Sequence, residues 1–118
     1  MERRHIRMDV WRDAMALVQQ VYELSSRFPD DERFGLTSQM RRSAISVPSN
    51  IAEGAVRDPD KEFLRFLFIA RGSLAELETQ MIIATQLGYV EQEQNWHPEL
   101  ERVFAKLAAL INRLRARG

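Results

Sequence analysis

The chain has 118 residues, of which 45% are hydrophobic and 29% charged, and 17 basic residues balance 17 acidic ones to a formal net charge of zero. This length predicts one domain, residues 1–118, with a core that needs neither disulfides nor metals to fold. The lack of cysteine excludes disulfide frameworks, cysteine-ligated metal sites and thiol catalysis. Zero net charge argues against a uniformly basic nucleic-acid binder.

Targeting and membrane segments are not expected. The N-terminal segment Met1–His5 is charged and no apolar stretch follows it, so we expect no signal peptide. The longest apolar runs, such as Phe66–Ala70, are far shorter than the roughly 20 residues that span a membrane. These features predict a cytoplasmic protein without a membrane partner.

Glycine and proline divide the chain into four segments in which apolar residues recur at alternating spacings of three and four. We expect helices at about 9–28, 36–55, 59–87 and 92–116. The positions predicted to face a common core are Val10, Ala14, Leu17, Val21, Leu24, Phe28, Met40, Ala44, Val47, Ile51, Phe63, Leu67, Ala70, Leu74, Leu77, Met81, Ala84, Trp96, Leu100, Val103, Leu107, Leu110 and Leu114. No segment alternates with a period of two, and the connections are short. The fold prediction is therefore all-α, an antiparallel up-down-up-down four-helix bundle.

Local signals refine the helix ends. Asp58 is expected to cap helix three with Pro59 at its first position, and Gly88 fits the position just after its last turn. Trp96 could suggest a binding site, but it continues the apolar pattern of helix four and is expected in the core. Pro98 would then lie in the first turn, where a missing N–H costs little.

Helices one and three carry more apolar residues than one buried face needs. A thicker core beneath the loops would account for this, but the loops are short, so we expect a homo-oligomer. The predicted interface residues are Trp11, Val18, Tyr22, Phe66, Phe68, Ile69, Ile82 and Ile83.

A polar row follows the apolar face of helix two, and polar residues of helix three face it. The row consists of Gln39, Ser43, Ser46, Asn50 and Glu53 on helix two, with Ser73, Glu76 and Gln80 on helix three. Two interpretations stay open, namely inter-helix hydrogen bonds that fix the register and a functional groove. Pro48 interrupts helix two at a cost of about 3 kcal/mol, so its presence is expected to serve the structure.

The sequence lacks the patterns of known catalytic sites. A di-iron bundle needs a Glu three residues before a His on each of two helices, whereas here only His5 follows a Glu, Glu2, at that spacing and His97 does not; no phosphate-binding loop or nucleophile elbow occurs. Glu76 and Glu78 are two residues apart and point to different faces of a helix. We therefore expect neither an enzyme nor a metal or cofactor site.

The predicted topology gathers charges of opposite sign at opposite ends. Both termini and the helix 2–3 loop share one end, which holds nine basic residues against five acidic ones, whereas the other end holds seven acidic residues against three basic ones. The alternative is that these C-terminal arginines only complement a helix dipole. The candidate nucleic-acid contacts at the basic end are Arg3, Arg4, Arg7, Arg12, Arg57, Lys61, Arg113, Arg115 and Arg117.

Two blocks of sequence resemble a known family. The block from Gly35 to Gly54, GLTSQMRRSAISVPSNIAEG, and the block from Ala70 to Gln80, ARGSLAELETQ, resemble the bacterial four-helix bundle proteins encoded in intervening sequences of 23S ribosomal RNA genes. Val10-Trp11 and the Leu87-Gly88-Tyr89 turn also fit. The segment Asn95–Pro98 and the neutral charge depart from the family pattern.

The resemblance implies a bundle that assembles into a ring of five copies. The family is similar to the accessory proteins of diversity-generating retroelements, which form basic barrels that engage nucleic acid and a reverse transcriptase. The leading hypothesis is thus a non-catalytic oligomer that contacts RNA or DNA, and the alternative is a protein-interaction scaffold using the polar face of helices two and three. The family-motif positions are Arg41, Arg42, Pro48, Asn50, Glu53, Arg71, Glu76 and Glu78.

Overall fold

The computed structural model describes residues 2–117, so Met1 and Gly118 of the predicted domain lie outside the described residues. All regular structure within this range is helical, which confirms the all-α prediction. Short 3₁₀ turns at Arg4–Arg7 and Asp30–Glu32 accompany four α-helices, which are α1 at Asp9–Ser25, α2 at Leu36–Ala55, α3 at Asp60–Gln86 and α4 at His97–Arg117.

The four helices surround one elongated core. Helix α1 packs against α2 and α4, and α3 packs against the same two helices, with the α2–α3 pair in closest association. The molecule measures 45 × 23 × 22 Å along its principal axes. Every apolar position predicted to face the core is buried, and Leu67, Leu74 and Leu107 are fully inaccessible. The spacing of three and four therefore identified the inner face of each helix.

The end of α1 differs from prediction. Helix α1 ends at Ser25 instead of residue 28, because the N–H groups of Arg27 and Phe28 bond to the carbonyls three residues back and tighten the chain. The hydroxyl of Ser26 also bonds back to the carbonyl of Glu23 at 2.6 Å. Phe28 stays buried after the helix and packs on Tyr89, with ring centroids 5.4 Å apart.

Prolines set the starts of α3 and α4. Pro59 was expected to be the first helical residue of α3. It has an extended backbone and directly precedes the first helical residue, Asp60. Helix α4 begins at His97 instead of 92, since an earlier start would drive the Pro98 ring against the carbonyl of Gln94. Pro98 lies in the first turn and Trp96 is buried, as predicted.

Glycines serve the packing at two points. Gly88 has φ of 81°, and the N–H groups of Gly88 and Tyr89 bond to the carbonyls of Thr85 and Ala84, which ends α3 in a Schellman motif. Gly54 lets α2 approach α3, because a Cβ there would lie 2.8 Å from Phe63 Cδ1. Helix α2 continues through Pro48, which is buried.

Candidate functional site

The basic end is assembled by contacts between elements far apart in sequence. The guanidinium carbon of Arg4 lies 4.9 Å from the ring centroid of Phe63, near the start of α3. At the end of α4, Arg117 Nη1 lies 3.3 Å from Asp60 Oδ2, also at the start of α3. Arg57, in the connection after α2, lies 5.0 Å from the ring centroid of Phe66, also near the start of α3. The chain's N-terminal segment, the α2–α3 connection and the end of α4 thus meet.

All nine candidate nucleic-acid contacts are exposed. Arg12 Nε donates a 2.9 Å hydrogen bond to the carbonyl of Ile6, which fastens the N-terminal turn onto α1. Arg7 and Arg113 line one surface cleft of about 460 Å³ between the N-terminal segment and α4. Cationic groups from both ends of the described chain therefore share one surface.

Carboxylates neutralise part of this charge. Arg7 pairs with Glu2 at 3.4 Å, and Arg57 pairs with Glu53 at 3.3 Å. These pairs are solvent-exposed, as is the Arg117 pair, so each contributes little to stability and exchanges readily for another anion. The arginines of the basic end therefore stay accessible to solvent in spite of these pairs.

Two aromatic rings beside this end each contact two arginines. Arg57 and Arg65 lie 5.0 and 4.5 Å from the ring centroid of Phe66. Arg71 and Arg115 both lie 5.1 Å from the centroid of Phe68. Sequence reasoning did not include Arg65 among the basic contacts, and it assigned the two phenylalanines to an oligomer interface. The signal available in the sequence was the spacing of the two phenylalanines on α3.

The polar row between α2 and α3 forms the inter-helix hydrogen bonds of the structural interpretation. The Ser43 hydroxyl donates to Glu76 Oε1 at 3.0 Å, and the Ser46 and Ser73 hydroxyls are 2.7 Å apart. Asn50 Nδ2 donates to both the carbonyl and the hydroxyl of Ser46, at 2.8 and 3.0 Å. The Ser43–Glu76 and Ser46–Ser73 bonds join the two helices and fix their register, whereas the Asn50 bonds lie within α2.

Part of the row also opens as a groove. Gln80 is only 7% exposed, and its Oε1 has no hydrogen-bond partner within residues 2–117. The groove has a volume of about 260 Å³ and is lined by Gln39, Arg42, Ser43, Ser46, Ser73, Glu76 and Gln80. The functional interpretation of the row therefore stays open beside the structural one.

The other family-motif residues have separate surroundings. Arg41 Nε donates to the Ser25 hydroxyl at 2.9 Å and its guanidinium carbon lies 4.4 Å from the ring centroid of Tyr22, which ties α2 to the end of α1. Glu78 is half-buried on α3, whereas Arg42 is exposed. The motif thus combines packing residues with surface residues.

The predicted oligomer-interface residues divide into three groups. Phe66 is only 6% exposed beneath Arg57 and Arg65, so it offers little surface to another copy. Half-buried members that pack against the core are Trp11, Val18 and Phe68. Exposed members, each at about two-fifths of their full accessible surface, are Tyr22, Ile69, Ile82 and Ile83.

An apolar groove lies between α1 and α2. It has a volume of about 360 Å³ and is lined by His5, Trp11, Met15, Val18, Ile45, Pro48, Ser49 and Ala52. Met15 and Ile45 are 39% and 42% exposed. Sequence reasoning identified two of its residues, Trp11 and Val18, but missed the contribution of α2, whose outer residues follow no long apolar pattern.

The described residues form neither a membrane-spanning helix nor a cluster of metal ligands. None of the helices within residues 2–117 combines the length and apolar character needed to cross a membrane. In the same range, no group of three or more His, Asp or Glu side chains is arranged to hold a metal ion.

Sequence comparison adds the family. A comparison with curated proteins gives no match. Residues 7–112, most of the chain, match the family described as 23S rRNA-intervening sequence protein. The four-helix fold and the two motif blocks agree with this match. The chain belongs to the 23S rRNA-intervening sequence protein family.

Proposed function

We propose that this protein is a non-catalytic, cytoplasmic subunit of a ring-shaped homo-oligomer of five copies that contacts RNA or DNA through its basic end. The observation that carries the proposal is the meeting of Arg4, Arg57 and Arg117 at the start of α3. Exposed arginines grouped on one surface attract phosphate diesters despite a zero net charge, because basic residues outnumber acidic ones at this end.

An antiparallel up-down-up-down course underlies this grouping. Ser43 bonds to Glu76 and Ser46 to Ser73, so advancing along α2 means retreating along α3. The Asp13–Lys106 ion pair joins the first half of α1 to the middle of α4. These pairings support alternating helix directions, with both chain ends on the side of the α2–α3 connection.

Ring assembly is supported by two apolar surfaces on different helices. The groove between α1 and α2 is one, and exposed Ile69 and Ile83 on α3 are part of the other. Two unlike surfaces that meet between copies form a head-to-tail contact, which closes into a ring when the rotation per copy allows it. Such a ring would repeat the basic end around its axis.

The proposal is tested by nucleic-acid binding at different salt concentrations. A fluorescently labelled structured RNA and a DNA duplex are titrated with the protein at several concentrations from about 50 to 200 mM salt, a range over which six to ten phosphate contacts lose roughly 10³–10⁵ in affinity. We expect binding that weakens steeply with salt. No binding to either probe, or binding indifferent to salt, would overturn the proposal.

A second candidate function is a protein-interaction scaffold that uses the groove between α2 and α3. The specific observation in its favour is Gln80, whose buried Oε1 lacks a partner among the described residues while its side chain lines that groove. A partner protein recovered after nuclease treatment by the wild type, but not by Arg42→Ala, would favour this function. Equal recovery by both proteins would remove it.

A further inference from the structure

Phe68 brings together two arginines from different helices. Its ring is half-buried against the core on α3. The guanidinium carbons of Arg71, on the same helix, and Arg115, near the end of α4, each lie 5.1 Å from its centroid. The two cations are therefore no farther apart than twice that distance. The apolar pattern that packs α3 against α4 does not require the two arginines to be close together or to share a ring.

These two cations differ from the pair around Phe66. Arg57 and Arg65 each have a carboxylate at 3.3 Å, from Glu53 and Glu62. Arg71 and Arg115 have no carboxylate oxygen within 4.0 Å in the described part of the chain, although both are exposed. Like charges held near each other without a counter-charge attract an anion.

We propose that Arg71 and Arg115, held against Phe68, form a clamp for the phosphate groups of a polynucleotide backbone. The proposal rests on the nucleic-acid function proposed above and extends its surface from the basic end along the side of α3 and α4. Arg115 was among the candidate contacts at that end, whereas Arg71 lies outside it.

The geometry suits phosphate for two reasons. A guanidinium that contacts a ring through its face keeps its N–H edges free, and those edges match two oxygens of a phosphate. The ring also limits the rotamers of each arginine, so less conformational entropy is lost when the anion binds. Phe68 is accordingly a positioning residue, while the two arginines make the contact.

The first experiment compares salt slopes. The affinity of a labelled single-stranded RNA is measured against salt for the wild type and for the double variant Arg71→Gln/Arg115→Gln. Each phosphate contact contributes roughly 0.7 to the slope of log affinity against log salt on a single strand, so we expect the slope to fall by about 1.4. Helical circular dichroism and elution volume check that the fold and assembly are kept.

The matched control is Arg33→Gln. Arg33 is also an exposed arginine held on an aromatic ring, 4.8 Å from the centroid of Phe34, but it lies in the α1–α2 connection. Its removal is expected to leave the slope unchanged. The clamp would be overturned if the slope fell by the same amount for each arginine removed in the control and in the double variant. The loss of positive charge alone would then explain both results.

Phe68 is tested with a pair of variants. Phe68→Leu keeps an apolar side chain and both charges, so we expect several-fold weaker binding with little change in slope. Phe68→Tyr keeps the ring and is expected to bind like the wild type. Equal binding by wild type, Phe68→Leu and Phe68→Tyr would contradict the positioning role.

The remaining outcomes separate the two proposals. Wild-type protein that binds no RNA overturns the proposed function and the clamp together. Wild-type protein that binds with a steep slope, unchanged in the double variant, overturns the clamp alone. Inorganic phosphate and vesicles of anionic lipid serve as competitors, and competition by vesicles as strong as that by unlabelled RNA at equal phosphate would reject a polynucleotide as the specific ligand.

Discussion

Tyr89 donates a 2.9 Å hydrogen bond to Glu32 Oε2, which ties the segment after α3 to the connection between α1 and α2. The other carboxylate oxygen of Glu32 accepts from the backbone N–H of Leu36, at the start of α2, at 3.2 Å. The hydrogen bond to Glu32, with burial and the charges of Glu32 and Asp31, raises the pKa of Tyr89 above its ordinary value of 10.0. One carboxylate thus joins three segments at the acidic end.

This bond predicts a pH dependence of stability at high pH. Only the neutral phenol can donate, and the folded-state pKa is raised, so the stabilisation is fully present below pH 10.0 and is lost as pH rises through the raised pKa. Urea midpoints of the wild type and Tyr89→Phe should therefore differ at neutral pH and converge in strongly alkaline solution. A difference that does not depend on pH would contradict this explanation.

A pair of glycine substitutions tests the close approach of α2 and α3. Gly54→Ala would bring a Cβ within 2.8 Å of Phe63 Cδ1 and of Phe66 Cβ, so we expect it to lower the free energy of unfolding by about 1–3 kcal/mol. Gly72→Ala is the control, because a Cβ there meets nothing within 4 Å. In a helix interior it should stabilise by roughly 0.5–1 kcal/mol. Chemical denaturation measures both, and two effects of the same sign would contradict the prediction.

The apolar groove between α1 and α2 predicts an assembly defect. Ile45→Glu places a charge on a groove residue that is 42% exposed, so it should separate the subunits while leaving the core intact. Light scattering should give a mass near five times the 13.8 kDa subunit for the wild type and near one subunit for the variant. Gln19→Glu, on the exposed side of α1, should keep the wild-type mass. A monomeric wild type at micromolar concentration would reject the ring.

Gln80 provides a test of the α2–α3 groove. A buried amide oxygen without a partner carries a desolvation penalty, so Gln80→Leu should raise the free energy of unfolding by about 1–3 kcal/mol. Thermal and urea unfolding measure the change. Destabilisation would show instead that a partner of Gln80, in another copy or in a bound molecule, stabilises the protein.

The core could be predicted from sequence because burial in a helical bundle follows a short period. Every predicted seam residue is buried, while buried Ile111 and Val90 were missed. Ile111 adjoins Leu110 and falls between seam positions, and Val90 lies in a connection, where no period applies. Local periodicity carries information about one face of each helix and little about side chains that fill gaps from a loop.

The surface was less predictable because it depends on which helices are neighbours. When α3 is considered by itself, Phe66 lies outside its main apolar face. The close approach of α2 and α3 at Gly54 nevertheless buries it beside α2. The Phe68 pair is similar, since Arg115 comes from another helix. The basic end was anticipated only because short connections constrain the topology.

The most direct test of the central claim is the salt slope of RNA binding after charge reversal at either end. Arg3, Lys61 and Arg113 are exposed at the basic end, and Arg27, Arg33 and Arg102 are exposed toward the other. Replacing the first set with Glu should lower the slope by about 2–3 and weaken binding strongly, whereas replacing the second set should change the slope little. Equal losses from the two triple variants, which alter net charge equally, would contradict binding through the basic end.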